Sequence, residues 1–166
     1  MSYLDPEKLI RAEEWFAAIE PLLREGYRFK ICPVGKSMVP FLCGGRDEAV
    51  LSIPDSEYKY KRNDIVLYKI ENGIFVLHRI CRISKKGIFT LGDGNTGVEG
   101  PLKREEILAL VDYIIRKGKT IRKNDRMYIL LVNIWRFIRP FRPAVIKMYS
   151  AVRRLEKRLK GCKISA

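Results

Sequence analysis

Asp64-Ile65-Val66-Leu67-Tyr68-Lys69-Ile70-Glu71-Asn72-Gly73-Ile74-Phe75-Val76-Leu77-His78-Arg79-Ile80 holds two apolar runs around an Asn-Gly pair. Runs rich in Ile, Val, Leu, Phe and Tyr favour extended backbone, and Asn-Gly between them signals a tight hairpin. The same texture continues on either side, from Arg28 to about Thr120, as short apolar runs broken by Gly, Pro, Asn and Asp. It predicts strands over 29–34, 49–53, 64–70, 74–83, 87–91 and 107–115, and so a mainly β domain.

The two ends read differently. Asp5-Pro6-Glu7 has the form of a helix start, with aspartate at the cap and proline in the first turn. Leu9, Ala12, Phe16, Ile19 and Leu23 recur at spacings of three and four, which gives one apolar stripe on a helix ending before Gly26. After Asn124 the chain is basic and apolar, and Pro140 and Pro143 divide it into two helical pieces. In the second piece Val145, Met148, Val152, Leu155 and Leu159 form one stripe, while Lys147, Arg153, Arg154, Lys157, Arg158 and Lys160 occupy other faces. The resulting division is an N-terminal amphipathic helix over 1–27, a β domain over 28–121 and a basic amphipathic helical tail over 122–166.

Charge follows that division. Residues 1–113 carry 17 Lys+Arg against 17 Asp+Glu, whereas residues 114–166 carry 16 basic and two acidic side chains, so the whole net charge of +14 lies in the last third. Sixteen cations interleaved with Trp135, Phe137, Phe141 and Tyr149 predict an anionic partner for the tail. A membrane surface fits stripes of aliphatic and aromatic residues better than nucleic acid does. Cys32, Cys43, Cys81 and Cys162 show no Cys-x-x-Cys pair and no metal spacing with the single histidine, so neither a metal, a cofactor nor a disulfide framework is expected. The start of the chain lacks the basic, apolar and small-residue order of a signal peptide, and no apolar run approaches the roughly twenty residues that span a bilayer. These features predict a cytoplasmic protein, peripheral on the inner membrane surface.

Three short segments carry chemistry. Ser37 lies in Val34-Gly35-Lys36-Ser37-Met38-Val39-Pro40, His78 is the only histidine, and Asp93 lies in Leu91-Gly92-Asp93-Gly94-Asn95. A hydroxyl is a poor nucleophile at neutral pH; it needs a base, and the base needs a third group to fix its tautomer. Alternation puts His78 on one face with Val76 and Ile80, an apolar side where desolvation favours the neutral, basic ring. Asp93 is the expected orienting group, held by its own turn, with Glu99 ranked behind it. Lys36 neighbours the nucleophile but should point away from it on an extended segment. Asp64 shapes the start of a strand.

In order along the chain, Ser37-Met38-Val39-Pro40-Phe41-Leu42, Gly45-Arg46-Asp47-Glu48-Ala49-Val50, Asn63-Asp64-Ile65-Val66-Leu67-Tyr68, His78-Arg79-Ile80 and Gly92-Asp93-Gly94-Asn95 resemble the boxes of the serine peptidases of the signal peptidase I and LexA type. The resemblance covers roughly residues 29 to 121. It implies a coiled set of antiparallel strands forming a partly closed barrel, and a serine endopeptidase that works by a Ser37/His78 dyad or a Ser37/His78/Asp93 triad. Histidine as base matches the endoplasmic-reticulum and archaeal members, and Glu99 sits six residues past Asp93, where the family often has another acid. Many members carry a serine at the position of Gly35 that helps hold the oxyanion; here backbone N–H groups near Ser37 would do so. The chain also lacks the spanning helix with which the export peptidases begin. The implied substrate is a peptide or precursor protein, bound extended with small side chains near the cut, as in leader removal. Of the alternatives, the self-cleaving repressor branch fits poorly, because it uses a lysine base and about thirty residues before the β domain leave no room for a helix-turn-helix. The other is a catalytically inactive β module that docks proteins or nucleic acid at a membrane.

Overall fold

The structure, a computed structural model, describes residues 6–138 together with Phe141 and Met148; for residues 6–11 it describes the backbone alone. The Asp5 cap, the side chain of Leu9, Cys162 and, Met148 apart, the stripe from Val145 to Leu159 lie outside the described residues.

The chain is mainly β. It runs α1 (Pro6–Arg24), β1 (Phe29–Ile31), β2 (Asp47–Ser52), β3 (Ile65–Lys69), β4 (Phe75–Ser84), β5 (Gly87–Leu91), β6 (Glu99–Leu102), a 3-10 turn at Arg104–Glu106, β7 (Ile107–Arg116), β8 (Lys119–Arg122) and α2 (Arg126–Phe137). The eight strands form one antiparallel sheet in the order β1-β2-β7-β3-β4-β5-β6, with β8 paired to β7. The ladder does not close on itself, so the expected partly closed barrel is corrected to an open sheet. In β7 the half from Ile107 to Leu110 pairs β3 and the half from Tyr113 to Arg116 pairs β8, while β2 runs along the other edge. A single strand thus borders three others, and β1 and β6 stand as the unpaired ends of the path.

Two strands were not anticipated. β8 follows β7 through Lys117-Gly118, both at positive φ (50° and 76°), the geometry of a two-residue hairpin turn. β6 contains Gly100-Pro101, a pair that argues against a strand in sequence. It is tolerated because β6 is the last strand of the path and bonds only to β5.

The central β3 reads Ile-Val-Leu-Tyr-Lys without polar alternation because both of its faces are covered. Ile65 and Leu67 join Ala49, Leu51, Ala109 and Val111 in the larger core, whereas Val66 and Tyr68 join Ile80, Ile88, Ile107 and Leu110 in the smaller one. α1 delivers Phe16, Ile19 and Leu23 to the larger core, and α2 delivers Tyr128 and Val132. Each such buried side chain is worth about 1.5–3 kcal/mol relative to exposure. Both helices therefore share the core of the sheet and are not independent of it. Asp125 caps α2, its carboxylate accepting the N–H groups of Met127 and Tyr128 at 3.0 and 3.3 Å. Among the described residues no helix is long and apolar enough to cross a membrane, and Cys32, Cys43 and Cys81 form no disulfide.

Candidate active site

The β3–β4 hairpin sets the site. Val66 pairs with His78 and Tyr68 with Val76, which puts Tyr68 and His78 diagonally adjacent on the face of the smaller core. On β5, Thr90 pairs with Ile80 on one side and with Glu99 of β6 on the other. Four strands thereby gather polar groups around the His78 ring, two of which reach Nδ1. His78 Nδ1 lies 3.0 Å from the Tyr68 hydroxyl and 3.1 Å from Glu99 Oε2; the Tyr68 hydroxyl also donates to Glu99 and lies 2.9 Å from Thr90 Oγ1.

The donors can be assigned. Burial, followed by the hydrogen bond to Glu99, pushes the Tyr68 hydroxyl well above its ordinary range, so it keeps its proton and donates. A carboxylate acceptor beside Nδ1 assigns the ring proton to that nitrogen, which leaves the Nε2 lone pair available as a base. Nε2 takes no side-chain or backbone partner among the described residues, and no buried side-chain nitrogen or oxygen there lacks one. His78 as a whole is only 3% exposed.

Ser37 reaches this region through backbone contacts. Its carbonyl accepts the N–H of Gly94 at 2.7 Å. The β4–β5 register places Arg79 opposite Leu91; continued by one residue, it sets Gly92 abreast of His78. A Cβ on Gly92 would lie 2.6 Å from the Ser37 carbonyl oxygen, and one on Gly94 would lie 2.6 Å from that of Lys36. Two side-chain-free positions thus let the serine turn lie directly against the end of β5, the strand that pairs with the one carrying the histidine. Met38, Phe41 and Leu42 anchor the turn in the larger core, while Lys36 is exposed and Ser37 half-buried. Gly35 has φ +89° and open space around it. Among the described residues no hydrogen bond reaches the Ser37 hydroxyl; such contacts often tighten only when substrate is bound.

Asp93 occupies a different place from the one expected. Its two oxygens accept Nε and Nη2 of Arg79 at 2.7–3.2 Å, and Arg79 also donates to the Asn63 carbonyl and to the Tyr128 hydroxyl, both at 2.9 Å. Arg79 is the neighbour of His78 and so points to the opposite face. Asp93 has no contact with the imidazole among the described residues, and the carboxylate beside His78 Nδ1 is that of Glu99. Burial works against the Arg79 charge, yet Asp93 and Tyr128 hold the guanidinium firmly protonated. Trp135 of α2 donates its indole N–H to the Asp93 carbonyl at 2.6 Å, and both Tyr128 and Trp135 pack edge-on against Phe41. The Arg79–Asp93 pair thus ties α2 to the turn that supports Ser37.

A second buried carboxylate braces the other end of that turn. Asp47 accepts from Arg46, Arg116 and the Cys43 N–H, while the same two arginines donate to the carbonyls of Pro40 and Phe41 at 2.9 and 2.8 Å. Burial alone would raise the Asp47 ionisation, but Arg46, Arg116 and the Cys43 amide hold it well below the usual carboxylate range. From sequence, Tyr68 and Asp47 stand out only as members of their boxes, with no role, and Thr90 does not stand out at all. For Tyr68 a signal was present, because the Asn72-Gly73 hairpin already fixes which residues flank His78. Thr90 and Glu99 depend on the pairing of β6, and Asp47 depends on an arginine 69 residues away.

Comparisons with protein-family models, with curated proteins and with solved structures found no match.

Proposed function

We propose that the chain is a serine endopeptidase of signal peptidase type. Ser37 Oγ attacks the scissile carbonyl carbon while His78 Nε2 takes its proton; on collapse the C–N bond breaks and the imidazolium returns that proton to the leaving amine. Water then repeats the sequence on the Ser37 ester. Glu99 and Tyr68 hold Nδ1–H throughout and steady the positive ring, and backbone N–H groups around Ser37 receive the developing oxyanion. The observation that carries the reading is the single histidine with Nδ1 held by a carboxylate and a tyrosine, while the turn that bears Ser37 is seated on Gly92 and Gly94 at the end of the adjoining strand.

The substrate is a peptide or precursor protein with small side chains near the cut, in keeping with leader removal, and the enzyme works in the cytoplasm, peripheral on the membrane. A second reading, the catalytically inactive β module, is favoured by one observation, the absence among the described residues of a hydrogen bond to the Ser37 hydroxyl. Turnover of a quenched library of small-residue peptides separates them. The enzyme requires cleavage that falls at least about a thousandfold in both Ser37→Ala and His78→Ala; equal rates in all three proteins establish the module.

A further inference from the structure

α2 is apolar on two sides. Tyr128 and Val132 face the larger core. Met127, Leu130, Leu131, Ile134 and Phe137, at spacings of three, one, three and three, lie on another side and are 49–88% exposed. They make a ridge about 15 Å long, at 1.5 Å per residue. A helix apolar all round is ordinarily buried, and the exposed flank of this one is aliphatic over most of its length.

Charge says what covers it. The ridge sits within the segment that carries 16 cations and two acids, and Arg122 and Arg126 are exposed beside its start. A second copy of the chain would bring two such segments together against their mutual repulsion. Nucleic acid would meet the cations but has nothing to offer a row of leucine and isoleucine. An anionic lipid surface satisfies both, taking aliphatic side chains about 5–10 Å into the headgroup boundary while phosphates meet the cations.

We propose that α2 is the insertion ridge by which this protein docks on anionic bilayers. The proposal rests on α2 and the charge around it, independently of the peptidase reading. If both hold, the docked helix sets the active site beside the membrane, because Tyr128 and Trp135 are bonded to the Arg79–Asp93 pair beneath the Ser37 turn.

Flotation of the full chain with phosphatidylcholine vesicles, with and without phosphatidylglycerol, tests it. The chain should float only with the anionic vesicles, less so at high salt, and Leu130→Gln/Leu131→Gln/Ile134→Gln should lower the bound fraction about tenfold or more. The melting temperature of that variant shows whether it is folded. Phe137→Trp offers an independent reading in an otherwise intact ridge: brominated acyl chains should quench its emission beyond that of the parent. Ser37→Ala should float as the parent does, so that loss of peptidase activity and loss of docking are told apart. The proposal is overturned by undiminished flotation of the triple variant or by no added quenching of Phe137→Trp. A dimer that the triple variant dissolves, with no vesicle binding, or retention by RNA but not by vesicles, overturns it equally.

Discussion

Glu99 Oε2 lies 3.1 Å from Nδ1 of His78, although the two residues belong to strands that do not pair with each other. The contact exists because β6 lays Glu99 beside Thr90 on β5, and the Tyr68 hydroxyl bonds both the carboxylate and the ring. A carboxylate in that position fixes a tautomer and balances an imidazolium, which are the two tasks of the third member of a serine-hydrolase triad.

Glu99→Gln should therefore keep the fold and lose the chemistry. Its side chain is 39% exposed, so the melting temperature should move little, while kcat on a peptide substrate should fall about a hundredfold or more. Steady-state kinetics beside a thermal melt checks this, and an unchanged kcat removes Glu99 from the mechanism.

Asp93→Ala should do the opposite. Arg79 and Asp93 are each 3% exposed, and deleting one member of a buried ion pair strands the other at a cost of about 3–5 kcal/mol. Chemical denaturation should show a loss of that order. A soluble, fully stable Asp93→Ala protein would contradict the role assigned to the pair.

Gly92→Ala places a methyl 2.6 Å from the Ser37 carbonyl oxygen, a backbone atom. Overpacking of this kind costs about 1–3 kcal/mol, and relief requires the serine turn to move away from the end of β5. We expect activity to drop far more than stability. If kcat/KM equals that of the parent, the turn does not need its present seat.

Tyr68→Phe removes a buried hydroxyl that engages Glu99, Thr90 and His78. Leaving those partners unmatched should cost about 1–3 kcal/mol. In NMR, the Nδ1–H resonance of His78 should shift, a change that a purely structural tyrosine would not produce.

Acid stability should depend on Asp47. Its folded-state ionisation lies below the ordinary 3.8, so the unfolded chain binds the proton first as pH falls. The stabilisation is complete above 3.8, declines below it and is exhausted once pH has passed through the lower, folded value. Unfolding free energies measured across that window should fall for the parent and stay flatter for Asp47→Asn, which should be less stable throughout the neutral range.

Local signals located much of this molecule. The Asn72-Gly73 pair and the apolar runs around it define the β3–β4 hairpin, and the spacing of Phe16, Ile19 and Leu23 places the buried stripe of α1. These features depend on neighbours within a few positions, and side-chain period and turn chemistry are written at that range. Ser37, His78 and Asp93 were legible as the polar residues of three turn-and-strand segments. What each one touches was not.

Glu99 against His78 and Asp93 against Arg79 both follow from which strands lie side by side. The order β3-β4-β5-β6 and the register at Thr90 are outcomes of packing two cores at once, and no stretch of chain contains them. The open edge of the sheet, the docking of α2 onto Phe41 and the exposed ridge on its far side belong to the same category. Sequence alone determined most of the elements, β6 and β8 excepted, and named Ser37, His78, Asp93 and Glu99 as residues that could do chemistry. Tertiary structure decided who stands beside whom, because contacts between distant segments are chosen by the shared burial of side chains that have no information about one another along the chain.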